Sequence, residues 1–312
     1  MAKTNDQSTA PERGGARLPQ LGFLGMGAMG SRLAARLLAA GYPLVVYNRT
    51  REKTQPLARQ GAQVADTPKA VGAQCAVVLS CLANDAAVEE ALAGPDGALA
   101  GAQPGAALID MSTILPTTSR SLAAAAHAHG VDILDAAISG STPQVEAGAI
   151  ILLVGGEQAV YNRCLPMLSV LTSHCYYMGA SGMGATMKLV VNTLLGVSIQ
   201  ALAEALALGE RAGLEKARLL DVLAQTAVVS PRQKAALENV RREDYPVTFA
   251  LRMMHKDFGL ILGEADSLYV PMPVTAAAAQ LSTVEVASDQ GGDITTMIRW
   301  MEELTGAASP QG

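Results

Sequence analysis

The stretch Leu21-Gly-Phe-Leu-Gly-Met-Gly-Ala-Met-Gly30 begins with apolar residues and ends with glycines spaced as G-x-G-x-x-G. A helix-forming run follows directly, so the order predicts a strand, a tight turn and a helix. Gly25 would permit the turn, Gly27 would let a pyrophosphate approach the backbone, and Gly30 would let the helix pack close to the strand. The same spacing also occurs in βα turns that bind nothing. The residues of the predicted dinucleotide site are Gly25, Met26, Gly27, Ala28, Met29 and Gly30.

The composition is that of a helix-rich globular protein built mainly from aliphatic side chains. Of its 312 residues, 50% are hydrophobic, 16% are charged and 4% are aromatic, and this length suffices for two domains with cores of their own. The formal net charge of −5 comes without a basic cluster, so nucleic acid is not expected as a partner. Four cysteines without a C-x-x-C pair predict reduced, structural thiols in a cytoplasmic protein.

Two segments bear on secretion and membrane insertion. Residues 1–18 are polar and lack the apolar core of a secretory signal, so they predict a disordered tail. The most membrane-like stretch, residues 189–208, contains Asn192, Gln200 and Glu204. A buried helix of a soluble protein accounts for these polar side chains better than a bilayer does, and no membrane partner is expected.

The pattern of secondary structure divides the chain in two. Between residues 19 and 181, short β-rich runs alternate with helical segments of about ten residues, which predicts an α/β domain with a doubly wound, mostly parallel sheet. From Ser181 to Gly213, a hydrophobic run without strand signals predicts an interdomain helix of about 45 Å that is buried along its length. Five further helical segments follow. Residues 182–312 are therefore predicted to form an all-α C-terminal domain.

The four residues after the second predicted strand bear on the choice between the two nicotinamide cofactors. An acidic residue there would accept hydrogen bonds from the ribose 2′-OH and would repel a 2′-phosphate. This chain instead has Asn48, Arg49, Thr50 and Arg51, whose amide, hydroxyl and guanidinium groups favour a 2′-phosphate. The sequence therefore predicts NADP(H) in preference to NAD(H), and a solvated basic turn is the alternative.

Polar residues also follow later predicted strands. Leu82-Ala83-Asn84 and Ser112-Thr113 come at strand ends, where doubly wound sheets bind ligands, so we expect them to line the cofactor crevice. Each could equally be a helix N-cap. The loop Ser139-Gly140-Ser141 presents N–H and O–H donors that suit a carboxylate, although such a loop is also typical of a plain turn.

Two lysines are candidates for proton transfer and cofactor contact. Lys188 and Asn192 lie four residues apart, hence on one face of the long helix. A lysine in an apolar helix is costly, and desolvation favours its neutral form, so Lys188 is the candidate general acid/base. A lysine that snorkels to solvent is the alternative. Lys256 is placed to reach cofactor or substrate, while Asp257 could cap its helix or pair with Arg252 or Lys256 on the surface.

Two other catalytic chemistries find no support in the sequence. No group of His, Cys and carboxylate residues has metal-ligand spacing, so no catalytic metal is expected. A G-x-S-x-G nucleophile elbow is also absent, which argues against Ser-His-Asp hydrolysis.

Four motifs, in order, resemble the β-hydroxyacid dehydrogenase family from Leu21 to about Leu304. This family includes 3-hydroxyisobutyrate dehydrogenases, 2-hydroxy-3-oxopropionate reductases and glyoxylate/succinic semialdehyde reductases. The resemblance implies a Rossmann domain joined by a long helix to an all-α domain, and a homodimer or homotetramer formed through the α-domains. The motifs are Gly22-Phe-Leu-Gly-Met-Gly-Ala-Met-Gly30, Asp135-Ala-Ala-Ile-Ser-Gly-Ser141, Gly182-Met-Gly-Ala-Thr-Met-Lys-Leu-Val-Val-Asn192 and Lys256-Asp257.

The resemblance also implies a role for each candidate site residue. Lys188 would be the catalytic acid/base, and Asn192 would orient the substrate. Thr113 would lie near the nicotinamide ribose and Lys256 near the nicotinamide. The residues that would hold the substrate carboxylate are Ser139, Gly140 and Ser141.

The chain departs from the family pattern around the substrate pocket. Ala83 and Ala137 stand where prolines are usual, and Ser141 replaces a common glycine. Val191 replaces the first of two frequent asparagines. We therefore expect an NADP(H)-preferring reductase of a small carboxylate-bearing aldehyde or ketone, such as 2-hydroxy-3-oxopropionate, or the reverse 3-hydroxyacid dehydrogenase. An imine reductase-like enzyme and a non-catalytic NADP(H)-binding module are the alternatives.

Overall fold

The computed structural model describes residues 18–288 and 291–306 of the chain. Of the tail predicted at residues 1–18, all but Leu18 lies outside the described residues. The described part consists of an α/β half followed by an all-helical half, which confirms the predicted fold class.

One sheet forms the N-terminal half of the chain. In the described part its eight strands are β1 (Leu21–Leu24), β2 (Leu44–Tyr47), β3 (Gln63–Val64), β4 (Val77–Ser80), β5 (Ala107–Asp110), β6 (Asp132–Ser139), β7 (Ile150–Gly156) and β8 (Thr172–Gly179). Across the sheet they run in the order β3-β2-β1-β4-β5-β6-β7-β8. Neighbouring strands are parallel except β6 and β7, which pair antiparallel. The strand order reverses between β1 and β4, which is where doubly wound sheets bind ligands.

Helices flank both faces of this sheet. Successive strand residues point to opposite faces, so Phe23 packs with Leu33 in one core while Leu24 packs with Val88 in another. Burial on both faces is typical of parallel strands. The helices of this half are α1 (Gly30–Ala39), α2 (Gln55–Ala58), α3 (Pro68–Gln74), α4 (Asp85–Ala93), α5 (Pro116–Ala128), α6 (Thr142–Ala147) and α7 (Gln158–Leu168).

The C-terminal half is built around α8 (Met183–Arg211), a helix of 29 residues. The helices after it are α9 (Lys216–Gln225), α10 (Pro231–Arg242), α11 (Leu251–Ser267), α12 (Pro273–Ser288) and α13 (Thr296–Thr305). Helix α8 packs on β6 and β7 and also on α11 and α13. Where it meets α11, a side chain at Gly196 would lie 2.4 Å from the ring of Phe258. The long helix therefore joins the sheet to a separate helical core.

One prediction about α8 is wrong, because the helix is not buried along its whole length. Val190, Leu194 and Leu208 are 50%, 71% and 73% exposed, and they lie on one stripe of the helix. The sheet and the other helices cover the opposite side, so this apolar stripe faces solvent. By length and composition α8 could cross a membrane, but its Lys188 and Asn192 are buried within the protein.

Helix α12 places polar side chains inward and apolar ones outward. Its buried positions include Ser282 and Glu285, whereas Val274 and Val284 are 63% and 54% exposed. Glu285 is 1% exposed, and neither of its carboxylate oxygens has a hydrogen-bond partner among the described residues. Burial raises the pKa of this carboxyl to about 7, because a carboxylate loses its hydration there. The charged form of Glu285 therefore destabilises the folded state.

Replacing Glu285 with glutamine is expected to stabilise the protein above neutral pH. The folded state holds the Glu285 proton more tightly than the unfolded chain does, so this group lowers stability progressively as the pH rises from about 4.5 through about 7. Glutamine cannot ionise. The variant should therefore exceed the parent in melting temperature by several degrees at pH 8 and by much less at pH 5, as measured by circular dichroism.

The matched control for this variant is Glu303→Gln. Glu303 lines the same small cavity as Glu285, but its side chain is 61% exposed. Its replacement should leave the melting temperature nearly unchanged at both pH values. Equal stabilisation by Glu285→Gln at pH 5 and pH 8 would contradict the assignment of a buried, titrating carboxyl.

Candidate active site

A cleft of about 510 Å³ lies at the carboxyl ends of β1, β2 and β4. Lys53, which was not predicted as a site residue, also lines this cleft and stands only four positions after Arg49. The predicted cofactor residues that line the cleft are Gly25, Gly27, Asn48, Arg49, Thr50, Leu82 and Ala83.

The glycine turn leaves its backbone open to a ligand. Gly25 has a φ of 97°, a conformation that favours glycine. A side chain at Gly30 would lie 2.0 Å from the carbonyl oxygen of Gly25, so this glycine permits the close packing of α1 on the turn. Apart from Gly27 and its two chain neighbours, no described atom lies within 4 Å of where a side chain at Gly27 would begin. The turn and the first turn of α1 thus form an open cradle that fits a phosphate.

Asn48 ties the glycine turn to the end of β2. Its Oδ1 accepts a hydrogen bond of 2.8 Å from the N–H of Met26, and its Nδ2 donates one of 2.8 Å to the carbonyl of Thr50. Asn48 therefore shapes the cleft, and the N–H of Met26 already has a partner. The adjacent turn residues Ala28 and Met29 are exposed and half-buried.

Three basic side chains follow β2, and the structure separates their roles. Arg51 forms an ion pair with Asp66 on the surface. Arg49 and Lys53 are exposed and line the cleft. The positive charge at this end of the cleft therefore comes from Arg49 and Lys53.

A buried carboxylate connects the loops after β4 and β5. Oδ1 of Asp110 accepts hydrogen bonds from the hydroxyls of Ser80 and Ser112 at 2.6 and 2.7 Å. The Ser112 oxygen in turn accepts one of 2.8 Å from the N–H of Leu82. Burial raises the pKa of Asp110 to about 6, and the serine hydrogen bonds oppose that shift. This network fixes the loop that begins at Leu82.

Asn84 and Thr113, both predicted to line the crevice, have partners within the protein. Asn84 is the N-cap of α4, because its Oδ1 accepts a hydrogen bond of 3.0 Å from the N–H of Ala87. The carbonyl of Thr113 accepts a hydrogen bond of 2.7 Å from Nζ of Lys256. Since Thr113 follows β5 and Lys256 lies on α11, this bond joins the sheet half to the helical half.

One face of α8 carries the candidate catalytic side chains. Gly184, Lys188, Asn192 and Gly196 recur every four residues and therefore lie along one row. At Gly184 the helix touches the sheet so closely that a side chain would lie 2.4 Å from the carbonyl oxygen of Leu153. At Gly196 the row reaches the helical core. Lys188 and Asn192 lie between these two contacts, at the junction of the halves.

Lys188 is 8% exposed, so it does not extend into solvent. Burial lowers the pKa of its amine to about 8, because the charged form loses its hydration. The carboxylate of Asp257 opposes this shift and the charge of Lys256 adds to it. Near neutral pH the amine can therefore gain or lose a proton, which a general acid/base must do.

The expectation that Asp257 lies at a helix end or on the surface is wrong. Asp257 is in the middle of α11 and 1% exposed. Its Oδ2 accepts a hydrogen bond of 2.6 Å from Nδ2 of Asn192. Nζ of Lys256 lies 2.8 Å from its Oδ1, an ion pair without hydrogen-bond geometry. The spacing of Met254, Asp257 and Ile261 places Asp257 on the buried stripe of α11, and this pattern could have located it.

The loop after β6 is shorter than the sequence predicts. Ser139 ends β6, and the unpredicted helix α6 begins at Thr142. The N–H and Oγ of Ser141 contact Oε1 of Gln144 at 2.9 and 3.0 Å, so Ser141 is the N-cap of α6. The Ser-x-x-Gln spacing was the missed indication. Ser139 and Gly140 remain at the strand end, and β6 packs against the helix that carries Lys188.

Family models match both halves of the chain. Residues 20–179 match the NAD binding domain of 6-phosphogluconate dehydrogenase, and residues 182–301 match the NAD-binding domain of NADP-dependent 3-hydroxyisobutyrate dehydrogenase. The halves that these models recognise are the sheet half and the helical half described above.

Relatives with assigned names match nearly the full chain. A 2-(hydroxymethyl)glutarate dehydrogenase of Eubacterium barkeri is 32% identical over 94% of this chain and 98% of its own length. Glyoxylate/succinic semialdehyde reductase 2 of Arabidopsis thaliana is 34% identical over 89% of this chain and 78% of its own length.

Solved structures match the two-part architecture. The 3-hydroxyisobutyrate dehydrogenase of Mycobacterium tuberculosis, solved with L-serine, superposes with a TM-score of 0.83 at 27% identity, covering 91% of this chain and 99% of that one. An imine reductase from Pseudomonas sp. has a TM-score of 0.59 at 21% identity over 91% and 99% of the two chains. The similarity to the imine reductase shows a shared fold only.

Replacing Asn48 with alanine is expected to weaken dinucleotide binding about tenfold, because the glycine turn loses its tie to β2. Isothermal titration calorimetry with NADPH measures the change in Kd. The control is Gln60→Ala, which removes an exposed side chain. Within the described structure, the side chain of Gln60 forms a hydrogen bond only to the carbonyl of Pro56. An unchanged Kd for the Asn48 variant would show that the tie does not shape the binding site.

Proposed function

The chain belongs to the β-hydroxyacid dehydrogenase family, and we propose that it is an NADP(H)-preferring oxidoreductase of a small carboxylate-bearing aldehyde or ketone. It would reduce a compound such as 2-hydroxy-3-oxopropionate to the matching 3-hydroxy acid or catalyse the reverse oxidation. The observation that carries this proposal is the buried amine of Lys188 at the junction of the two halves. The names of the Eubacterium barkeri and Arabidopsis thaliana relatives refer to small carboxylates, and this supports a small carboxylate-bearing substrate.

The cleft fits a dinucleotide with a 2′-phosphate. The open backbone at Gly27 would receive the pyrophosphate, and the bound nicotinamide would donate or accept the hydride. Arg49, Thr50 and Lys53 would hold the 2′-phosphate, since they line the cleft and supply cationic and hydroxyl groups. The match to a domain of an NADP-dependent dehydrogenase supports this preference over NAD(H).

Lys188 would exchange the substrate proton. In the direction of reduction its Nζ would donate a proton to the carbonyl oxygen, and in the direction of oxidation it would take a proton from the hydroxyl group. Nδ2 of Asn192 is held by Asp257, whereas Oδ1 of Asn192 has no partner within the described structure. That oxygen is free to accept a hydrogen bond from the substrate, and in this way Asn192 would orient it.

The substrate carboxylate would bind at the end of β6. Ser139 and Gly140 are the stronger candidates, because both the N–H and the hydroxyl of Ser141 already contact Gln144. Lys256, held by the Thr113 carbonyl, would lie near the nicotinamide.

Replacing Lys188 with alanine is expected to lower kcat by about two orders of magnitude or more, because the general acid is lost. The Kd for NADPH should stay within about twofold of the parent value, since the dinucleotide cleft does not include Lys188. Steady-state assays of NADPH oxidation and calorimetry measure the two quantities. The control is Lys234→Ala, which removes an exposed lysine on α10. Turnover within about threefold of the parent would exclude Lys188 as the acid/base.

A substrate panel separates this proposal from its rivals. NADPH and NADH would each be tested with 2-hydroxy-3-oxopropionate, succinic semialdehyde, glyoxylate and a cyclic imine. The proposal expects a carboxylate-bearing aldehyde or keto acid to be reduced fastest, with NADPH. Faster reduction of the imine would favour an imine reductase, and NADPH binding without oxidation of NADPH by any compound would favour a binding module.

We also propose that the helical half forms a homodimer or homotetramer. Leu194 of α8 and Val274 and Val284 of α12 are apolar and more than half exposed, so a second copy covering them would bury apolar surface. Light scattering should report two or four times the chain mass. A monomer at micromolar concentration would contradict this assembly.

A further inference from the structure

A carboxylate on the sheet, that of Asp135, caps the long helix. Asp135 lies on β6 and is 5% exposed. Its Oδ1 accepts a hydrogen bond of 2.8 Å from the N–H of Gly182, and its Oδ2 accepts one of 2.8 Å from the N–H of Ala185. Gly182, at the N-cap position of α8, has no side chain to satisfy these donors. The cap therefore comes from a residue 47 positions earlier in the chain.

Glycines surround this carboxylate and leave room for little else. A side chain at Gly155, which pairs with Asp135 across β6 and β7, would lie 2.8 Å from Oδ1 of Asp135. A side chain at Gly184 would lie 2.8 Å from Oδ2. The hydroxyl of Ser119 lies near the carboxylate and opposes the rise in its pKa that burial causes. These contacts therefore fix the first turn of α8 against the sheet, both in its position along the helix axis and in its rotation about that axis.

We propose that Asp135 is the positioning residue for Lys188. Ala185, held by Asp135, is followed three residues later by Lys188, and Gly184 stands directly below Lys188 in the same row of the helix. At the other end of that row Asp257 holds Asn192. Two buried carboxylates, one on the sheet and one on α11, therefore fix the segment from residue 182 to residue 192. This inference rests on the proposed role of Lys188.

The test is Asp135→Asn, compared with the parent for NADPH-dependent reduction of the best substrate in the panel. An amide replaces one oxygen by an NH₂ group, which cannot accept from a helix N–H, so one end of the cap is lost. We expect kcat to fall about tenfold to a hundredfold, as a small misplacement of a catalytic group does. The Kd for NADPH should stay within about twofold, because the dinucleotide cleft is separate.

A pH profile distinguishes positioning from two other effects. In the parent, kcat for reduction should fall as Lys188 loses its proton, with a midpoint near its pKa of about 8. Among the described residues, the charged groups that act on the amine of Lys188 are Asp257 and Lys256 on α11. In Asp135→Asn, loosening of the first turn of α8 would let water reach the amine of Lys188, so the midpoint should rise by about half a unit or more. If the variant only lost a negative charge, the midpoint would fall. If a fraction of the molecules were simply unfolded and inactive, the midpoint would stay unchanged.

The matched control is Asp132→Asn on the same strand. Asp132 pairs with Arg163 at 2.7 Å, and both side chains are partly exposed. Its replacement should change neither kcat nor the midpoint. Ser119→Ala, which removes only the hydroxyl that supports the carboxylate, serves if Asp135→Asn fails to fold, and it should move kcat and the midpoint in the same directions by less.

Three results would overturn the proposal. The first is a kcat for Asp135→Asn within about threefold of the parent value. The second is a lower kcat for Asp135→Asn together with an unchanged or lower midpoint. The third, if only Ser119→Ala folds, is an unchanged midpoint in that variant. Lys188→Ala is measured alongside. If it keeps full turnover, the proposed function of Lys188 fails and the positioning role fails with it. If it is inactive while Asp135→Asn is unaffected, only the positioning role fails.

Discussion

The amine of Lys188 is kept away from water, and the surrounding structure compensates for that burial. A charged amine in such a place is destabilising unless opposite charge or hydrogen bonds accompany it. Asp257 supplies the opposite charge, and Lys256 balances Asp257 in turn. When Lys188 is protonated the three groups together are positive, which suits the proposed carboxylate substrate. When it is deprotonated they are neutral, so the site tolerates both states.

The two halves of the chain divide the work. The sheet half provides the open glycine turn and the basic cleft beside β2, and neither involves Lys188. The helical half provides Lys188, Asn192 and Asp257. They meet where α8 rests on β6 and β7 and where Lys256 bonds to the carbonyl of Thr113. Substitutions can therefore disturb the proposed cofactor binding and the proposed proton transfer separately, although one long helix joins the two halves.

Local patterns in the sequence predict much of this fold, and contacts between distant segments account for what they miss. The glycine spacing predicts β1, its turn and α1, because the turn and the close packing of α1 require glycine at positions set by the local backbone. The apolar run predicts α8 but not its exposed stripe, since a helix pattern does not show which side a neighbour covers. The hydrogen bond between Asp257 and Asn192 and the ion pair of Arg51 with Asp66 depend on how separate segments of the chain pack together. For the same reason, spacing alone predicts that Lys188 and Asn192 share one face of α8. It does not predict that Asp257, on another helix, contacts Asn192.

The most direct test of the buried amine is the titration of Lys188 itself. Protein labelled with ¹³C at the lysine ε position would be titrated by NMR, with Lys188→Arg identifying the Lys188 signal. A midpoint near pH 8 is the predicted result. A midpoint near the ordinary lysine value of 10.5 would show that the amine is hydrated and would contradict its role as a general acid/base near neutral pH.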